Sequence, residues 1–267
     1  MKLAIVVQSC DKYYDLWDPF YKMFFKYWSD CPFPIYHVSE SKTYDHQSVK
    51  PFITGMDVEW SGRLKMALNE IKEPYVLLLL DDYILIKKVN NEKIENCIRT
   101  LEETKAALLR LVPVPGPTMD YADYENIGLI DKKKEYSIST QATIWDTKVL
   151  QDFLIDSETV WDFELKGTER ADSILKNFLG IKKQKGINRI ESGDYPYTYI
   201  CTAVYKGKWM REAIKYLKKE KIYPDTTYRK MESFFEQLFR KTYSRSPYII
   251  KVGFDIIKKN IELKKKN

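Results

Sequence analysis

Nothing in this chain narrows the choice of fold as sharply as Tyr75-Val76-Leu77-Leu78-Leu79-Leu80-Asp81-Asp82-Tyr83, in which five consecutive aliphatic residues end in two adjacent carboxylates. A run this short and this apolar predicts a strand buried on both faces, as at the centre of a parallel sheet. Open α/β sheets bind ligands at the carboxyl ends of their strands, so Asp81 and Asp82 emerge where a ligand would sit. Two neighbouring carboxylates repel each other, and a divalent cation between the protein and a phosphorylated substrate would relieve that repulsion. Asp is also common in turns, so the pair reads alternatively as a plain strand stop.

The 267 residues suffice for one large α/β domain or two small ones. With 44% hydrophobic and 31% charged residues the chain is neither disordered nor membrane-spanning in composition. Its 20 Tyr and 6 Trp suit clefts that hold flat or ring-shaped ligands, although tyrosines also fill ordinary half-buried positions. Cys10, Cys31, Cys97 and Cys201 show no metal-ligand spacing and read as reduced thiols of a cytoplasmic protein. Two histidines, His37 and His46, exclude a multi-histidine zinc site. The apolar start Lys2–Val7 is too short for a signal sequence, and no apolar run approaches the roughly 20 residues of a spanning helix. The basic residues form no recognisable nucleic-acid-binding module.

Periodicity and breakers predict strands at Lys2–Val7, Pro34–Val38, Tyr75–Leu80 and Leu108–Val112. They predict helices at Asp15–Trp28, from Trp60 to about Lys72, and at Asn91–Thr104. Residues 41–59 read as irregular, and the proline-rich 112–117 as a loop. This alternation means βαβ units and a mostly parallel sheet. Beyond it, Tyr136–Trp145 alternates like a strand, Asp146 caps a short helix to Leu154, and a helix is expected from about Thr168 to Phe178. Ala203–Trp209 reads as a strand and turn, Met210–Glu220 as a basic amphipathic helix, and Met231–Arg240 as a further helix.

Asp11 in the loop after the first strand, Trp60-Ser61-Gly62-Arg63, the strand into Asp81-Asp82-Tyr83, Gln141 with Trp145, and Trp161-Asp162-Phe163-Glu164 form an ordered set. Over about residues 1–210 that set resembles a GT-A glycosyltransferase, more narrowly the small bacterial transferases of capsule and O-antigen clusters. The resemblance implies a GT-A-like α/β fold, a mostly parallel sheet flanked by helices. It implies one catalytic domain over 1–245, with a nucleotide-binding half at about 1–112 and an acceptor half at about 113–245. A basic amphipathic segment, 246–267, would follow. The implied activity is transfer of a sugar from a nucleotide-diphosphate sugar to a saccharide or lipid-linked acceptor in cell-surface polysaccharide synthesis. Mg²⁺ or Mn²⁺ on Asp82, with Asp81, would stabilise the departing diphosphate. Asp11 and Arg63 would contact the donor, and Gln141, Trp145 and Trp161 the acceptor. In its local sequence Asp11 reads equally as a turn residue; Arg63 and Lys65 either add positive charge near the phosphates or sit on a solvated helix face, the latter reading being favoured for Lys65. The family motif is usually Asp-x-Asp, whereas Tyr83 stands third here, so a one-carboxylate or metal-free site is the alternative.

An inverting transferase also needs a general base. In an extended segment, Asp162 and Glu164 share one side and Trp161 and Phe163 the other. Aromatic surroundings raise a carboxylate pKa and suit it to that role, although the pattern alone slightly favours a surface strand with core aromatics. The resemblance implies Glu164 or Asp162 as the base. From Lys251 to Lys266 six Lys interleave with bulky aliphatics, which suits an anionic membrane surface or, alternatively, a docked helix with a solvated end. Peripheral attachment to the inner face of the membrane would bring the enzyme to lipid-linked acceptors. Two other classes share these features. A metal-dependent nucleotidyltransferase would use the same carboxylates, but with 10 Gly the chain has no glycine-rich phosphate loop. A non-catalytic membrane-peripheral protein would need the aromatic surface and basic tail alone.

Overall fold

The computed structural model describes residues 1–187, 189–200 and 202–243. Strands β1 (Leu3–Gln8), β2 (Ile35–Ser39), β3 (Val49–Ile53), β4 (Tyr75–Leu80), β5 (Leu108–Arg110), β6 (Met119–Asp120), β7 (Ile127–Leu129), β8 (Thr143–Asp146) and β9 (Phe178–Ile181) form one sheet in the order β3-β2-β1-β4-β8-β5-β9-β7-β6. β8 and β7 run antiparallel to their neighbours and the remaining strands share one direction. The expected mostly parallel α/β sheet is therefore present. β10 (Val204–Tyr205) and β11 (Lys208–Trp209) make a separate hairpin.

The helices are α1 (Tyr14–Tyr27), α2 (Trp60–Glu70), α3 (Asn91–Thr104), α4 (Thr147–Phe153), α5 (Val160–Glu169), α6 (Arg211–Lys219) and α7 (Phe234–Tyr243). The period of two in β1 and β4 sorts them into layers. Leu3, Ile5, Val7, Leu77 and Leu79 face α1 and α3, whereas Ala4, Val6, Val76 and Leu78 face α2, α4 and α5. Both strands are buried along their length, as the uninterrupted aliphatic runs require. A third cluster packs α6 through Ala213, Ile214 and Leu217 on the outer side of α1 at Leu16 and Met23.

Several boundaries differ from the sequence reading. The stretch expected to be irregular contains β3, whose Pro51 is tolerated because β3 is an edge strand. Tyr136–Trp145 contributes only Thr143–Trp145 to β8, and the residues before it are turns. The helix expected from Thr168 ends instead at Glu169, and Phe178–Ile181 enters the sheet beside β5. Trp161–Glu164, read as extended, is the first turn of α5. Thr159 and Asp162 close a capping box there, each side chain bonding the other's backbone N–H. β8 lies between β4 and β5, so the proposed nucleotide and acceptor halves share one sheet. Among the described residues no helix is long and apolar enough to cross a membrane. The expected basic segment 246–267 lies outside the described residues.

Candidate active site

Gln8 of β1 pairs with Leu80 of β4, so Ser9 and Asp81 leave the sheet side by side. Asp81 is buried, its carboxylate accepting from the Ser9 hydroxyl, whose oxygen in turn accepts from the Trp17 indole at 2.7 Å. Burial, and then the charge of Asp82, hold the Asp81 carboxyl well above the usual range. Asp82 accepts from the Thr202 hydroxyl through Oδ2, and its main-chain carbonyl accepts from Ala203 N–H at 3.0 Å. Its Oδ1 is buried with no partner. Burial pushes Asp82 up to about 6 against the pull of Thr202 and of backbone around Val204. Burial and the neighbouring charge of Asp82 thus make the pair resist carrying two negative charges.

Beside it, the end of β2 supplies Glu40, which accepts from Asp11 N–H at 2.8 Å and from Arg63 Nη1 at 3.1 Å. Asp11 turns its carboxylate onto the loop after β2, accepting from Ser41 N–H (3.1 Å), Lys42 N–H (3.1 Å) and the Ser41 hydroxyl (2.5 Å). These bonds pull its pKa down against the opposing effect of burial. Arg63, in the first turn of α2, also donates to Val58 C=O at 2.5 Å, while its Nε is buried without a partner. Gln8 Oε1 and Ser61 Oγ, flanking the same turn, are likewise buried and unpartnered. Buried polar atoms are nearly always bonded, and four of the eleven exceptions among the described residues, those of Gln8, Ser61, Arg63 and Asp82, lie at this sheet edge.

The other side of this edge is a polar network around Tyr83. Its hydroxyl lies 3.1 Å from Thr140 Oγ1 and accepts from Gln141 Nε2 at 3.4 Å; the Tyr199 hydroxyl donates to Gln141 Oε1 at 2.5 Å. Glu164 closes the network, its Oε1 accepting from Thr140 N–H (2.7 Å), Thr140 Oγ1 (2.8 Å) and Ser139 Oγ (3.2 Å). The buried Arg110 spans Pro115, Tyr136 and Ser137 carbonyls behind it. Burial pulls Arg110 down to about 10 against the field of Tyr199, Glu164 and Tyr83.

The structure thus brings Asp81, Asp82, Gln141 and Glu164 to one carboxyl edge, with Asp11 and Arg63 beside them. It separates the rest. In a helix, residues two apart point about 200° apart, so Asp162 and Glu164 do not share a side. Asp162 is committed to Thr159 and to Lys166 at 2.9 Å, and those bonds pull its pKa down. Trp161 projects from α5 with 65% of its surface exposed. Trp145 is sealed in the core against Phe163 and Phe178, so it offers no stacking surface to an acceptor. Ser9, Glu40, Thr140, Tyr199 and Thr202 were missed. Ser9 and Glu40 follow strands directly, a signal within reach of sequence reading; Thr202 meets Asp82 across 120 residues and left none.

Arg229 joins this region from the carboxy-terminal part. It grips Asp15 through two bonds of 2.8 and 2.9 Å, donates to Lys12 C=O at 3.0 Å, and covers the Tyr13 ring. Two concavities, of about 360 Å³ near Tyr75 and Asp146 and about 570 Å³ beside α3 near Cys97, are lined by none of these groups.

No family model matches the sequence, and no curated protein matches it. Among solved structures, residues 1–349 of TarS from S. aureus overlap 69% of this chain and 59% of that one, at 15% identity and TM-score 0.45. The same protein with UDP-GlcNAc overlaps 57% and 47%, at 14% identity and TM-score 0.39. The bifunctional IspDF from Campylobacter jejuni overlaps 69% and 50%, at 16% identity and TM-score 0.40. The chain thus spans less than two thirds of each of these structures. Overlaps of this size leave the fold to be read from the strand order itself.

Proposed function

We propose that this chain is a glycosyltransferase that moves a sugar from a nucleotide-diphosphate sugar to a saccharide or lipid-linked acceptor, with the donor diphosphate at Asp82. The observation that carries this reading is the buried, unpartnered Asp82 Oδ1 beside a second carboxylate at the end of the central strand. An acceptor oxygen of that kind fits Mg²⁺ or Mn²⁺ held by Asp82 with Asp81. Among the described residues no three His, Cys, Asp or Glu side chains gather into a cation cage, so phosphate oxygens would complete the coordination. A cation bound there would act as a Lewis acid toward the leaving diphosphate.

The chain's own residues divide the remaining work. Thr202 and Ser9 hold the two carboxylates in place. Gln8, Ser61 and Arg63 present an acceptor and two donors to the nucleoside part of the donor, with Glu40 fixing Arg63 and Asp11 fixing the adjoining loop. Glu164 is the general base for the acceptor hydroxyl, oriented by Thr140 and Ser139. Asp162, as a helix cap, is not needed for this role, and Gln141 contacts the acceptor.

Calorimetric titration with UDP- and GDP-sugars and with nucleoside triphosphates, each with Mn²⁺, tests the reading. Binding of a nucleotide sugar that is lost in Asp82→Asn supports it. Preference for a triphosphate would favour nucleotidyl transfer instead, and binding of neither would remove the enzyme reading.

A further inference from the structure

The last described helix is mounted inside out. Amphipathic surface helices normally turn their apolar stripe to the core. In α7 the polar side chains make the attachments: Glu236 pairs with Lys208 at 2.5 Å and accepts from Ser233 N–H at 2.8 Å. Arg240 bonds Glu212 and Glu232, each at 2.8 Å, and Lys241 reaches Glu212 at 2.7 Å. At 100° per residue Glu236 and Arg240 share one side of the helix and Phe235, Leu238 and Phe239 the other, with Lys241 and Phe234 at the boundary between them. That second side points outward: Phe234 is 62%, Phe235 81% and Leu238 53% exposed. Tyr223 and Tyr228, on the loop before α7, are exposed as well.

The charge of the chain is divided unevenly along the sequence. Residues 204–267 contain 18 Lys and Arg against 7 Asp and Glu, a net +11, whereas residues 1–203 contain 26 against 31, a net −5. The acidic part carries the sheet and the candidate active site. The basic part carries α6, α7 and the lysine-rich sequence that follows. A second copy of this chain would bring two such basic regions together, and the like charges would oppose the contact. A surface that is both anionic and able to accept phenylalanine rings meets both features, and a bilayer with anionic headgroups is such a surface.

We propose that the outward face of α7 is a membrane-docking surface: Phe234, Phe235 and Leu238 enter the headgroup boundary of an anionic bilayer, to which the net positive charge of the basic part of the chain draws the protein. This goes beyond the transferase reading and stands whether or not that reading holds.

The test uses the full chain and sedimentation with vesicles of phosphatidylcholine containing about one third phosphatidylglycerol. Wild type is expected to bind these and not pure phosphatidylcholine, with binding weakened by salt as charge is screened. Phe235→Ser with Leu238→Ser is expected to lower partitioning at least tenfold with no change in melting temperature. In a Phe235→Trp variant, brominated lipid should quench the added fluorescence. Equal binding of wild type and the double variant would overturn the proposal and transfer the role to the lysine-rich end. An absence of vesicle binding, or a self-association in ultracentrifugation that the double variant abolishes, would overturn it as well. If the double variant loses its fold, absence of quenching in Phe235→Trp alone decides against it.

Discussion

Asp82→Asn should make the protein more stable while it stops donor handling, because the wild-type carboxylate is buried beyond what its hydrogen bonds compensate. With a folded pKa of about 6 against 3.8 unfolded, the charge of Asp82 costs up to about 3 kcal/mol at neutral pH. Asn keeps the side-chain size, and its carbonyl can accept from Thr202. Its amide nitrogen then replaces Oδ1, which has no partner, and an unsatisfied buried donor costs about 1–3 kcal/mol. The net gain is about 0–2 kcal/mol, or a melting temperature higher by up to roughly 6 °C for a chain of this size. The sign with pH follows from the raised pKa. The stabilising proton on Asp82 is fully bound in the fold below pH 3.8 and lost as pH rises through about 6. The variant's advantage should therefore be whole above pH 6, shrink on acidification, and turn into a deficit below 3.8, where only the cost of the unsatisfied amide is left. Thermal melts from pH 4 to 8, with EDTA or with MnCl₂, read all three effects. Mn²⁺ should raise the wild-type transition and leave that of Asp82→Asn unmoved. A variant less stable than wild type at pH 7.5, or a difference constant with pH, would refute the account of a desolvated carboxylate.

Glu164→Gln should lower turnover by roughly two to four orders of magnitude with donor affinity intact, whereas Asp162→Asn should cost about 1 kcal/mol of stability through the capping box and leave turnover unchanged; the opposite pattern would move the base to Asp162. Arg229→Met strands the buried Asp15 carboxylate and should cost about 3–5 kcal/mol in urea unfolding, part of it recovered by adding Asp15→Asn. Burial pushes His37 down to about 4, so the neutral ring's contribution is present above the unfolded value of about 6.5 and is lost as pH falls toward 4. Wild type should lose about 3 kcal/mol more than His37→Gln over that interval, and parallel pH profiles would count against it.

Local sequence determined a good deal of this protein. Tyr75–Leu80 could only be a central strand, because a run apolar at every position has no face to give to water. Asn90 and Asp146 start α3 and α4 where a side-chain oxygen can take the free N–H groups of a first turn. The position of Asp81 and Asp82 followed from where that strand ends. Trp161–Glu164 was misread because alternation over four residues does not separate a strand from a helix turn, and the deciding bond, Thr159 to Asp162, starts outside the motif. Trp145 had nothing in its surroundings in sequence to distinguish a core ring from a stacking platform; its burial comes from Phe163 and Phe178, both distant along the chain. Tertiary structure alone joined Thr202 to Asp82, Glu164 to Thr140, and Arg229 to Asp15. These pairs join segments far apart along the chain, so no window of the sequence contains both partners. The outward face of α7 was decided the same way: its pattern is amphipathic in sequence, and only the ion pairs to Lys208, Glu212 and Glu232 fix which side meets the protein.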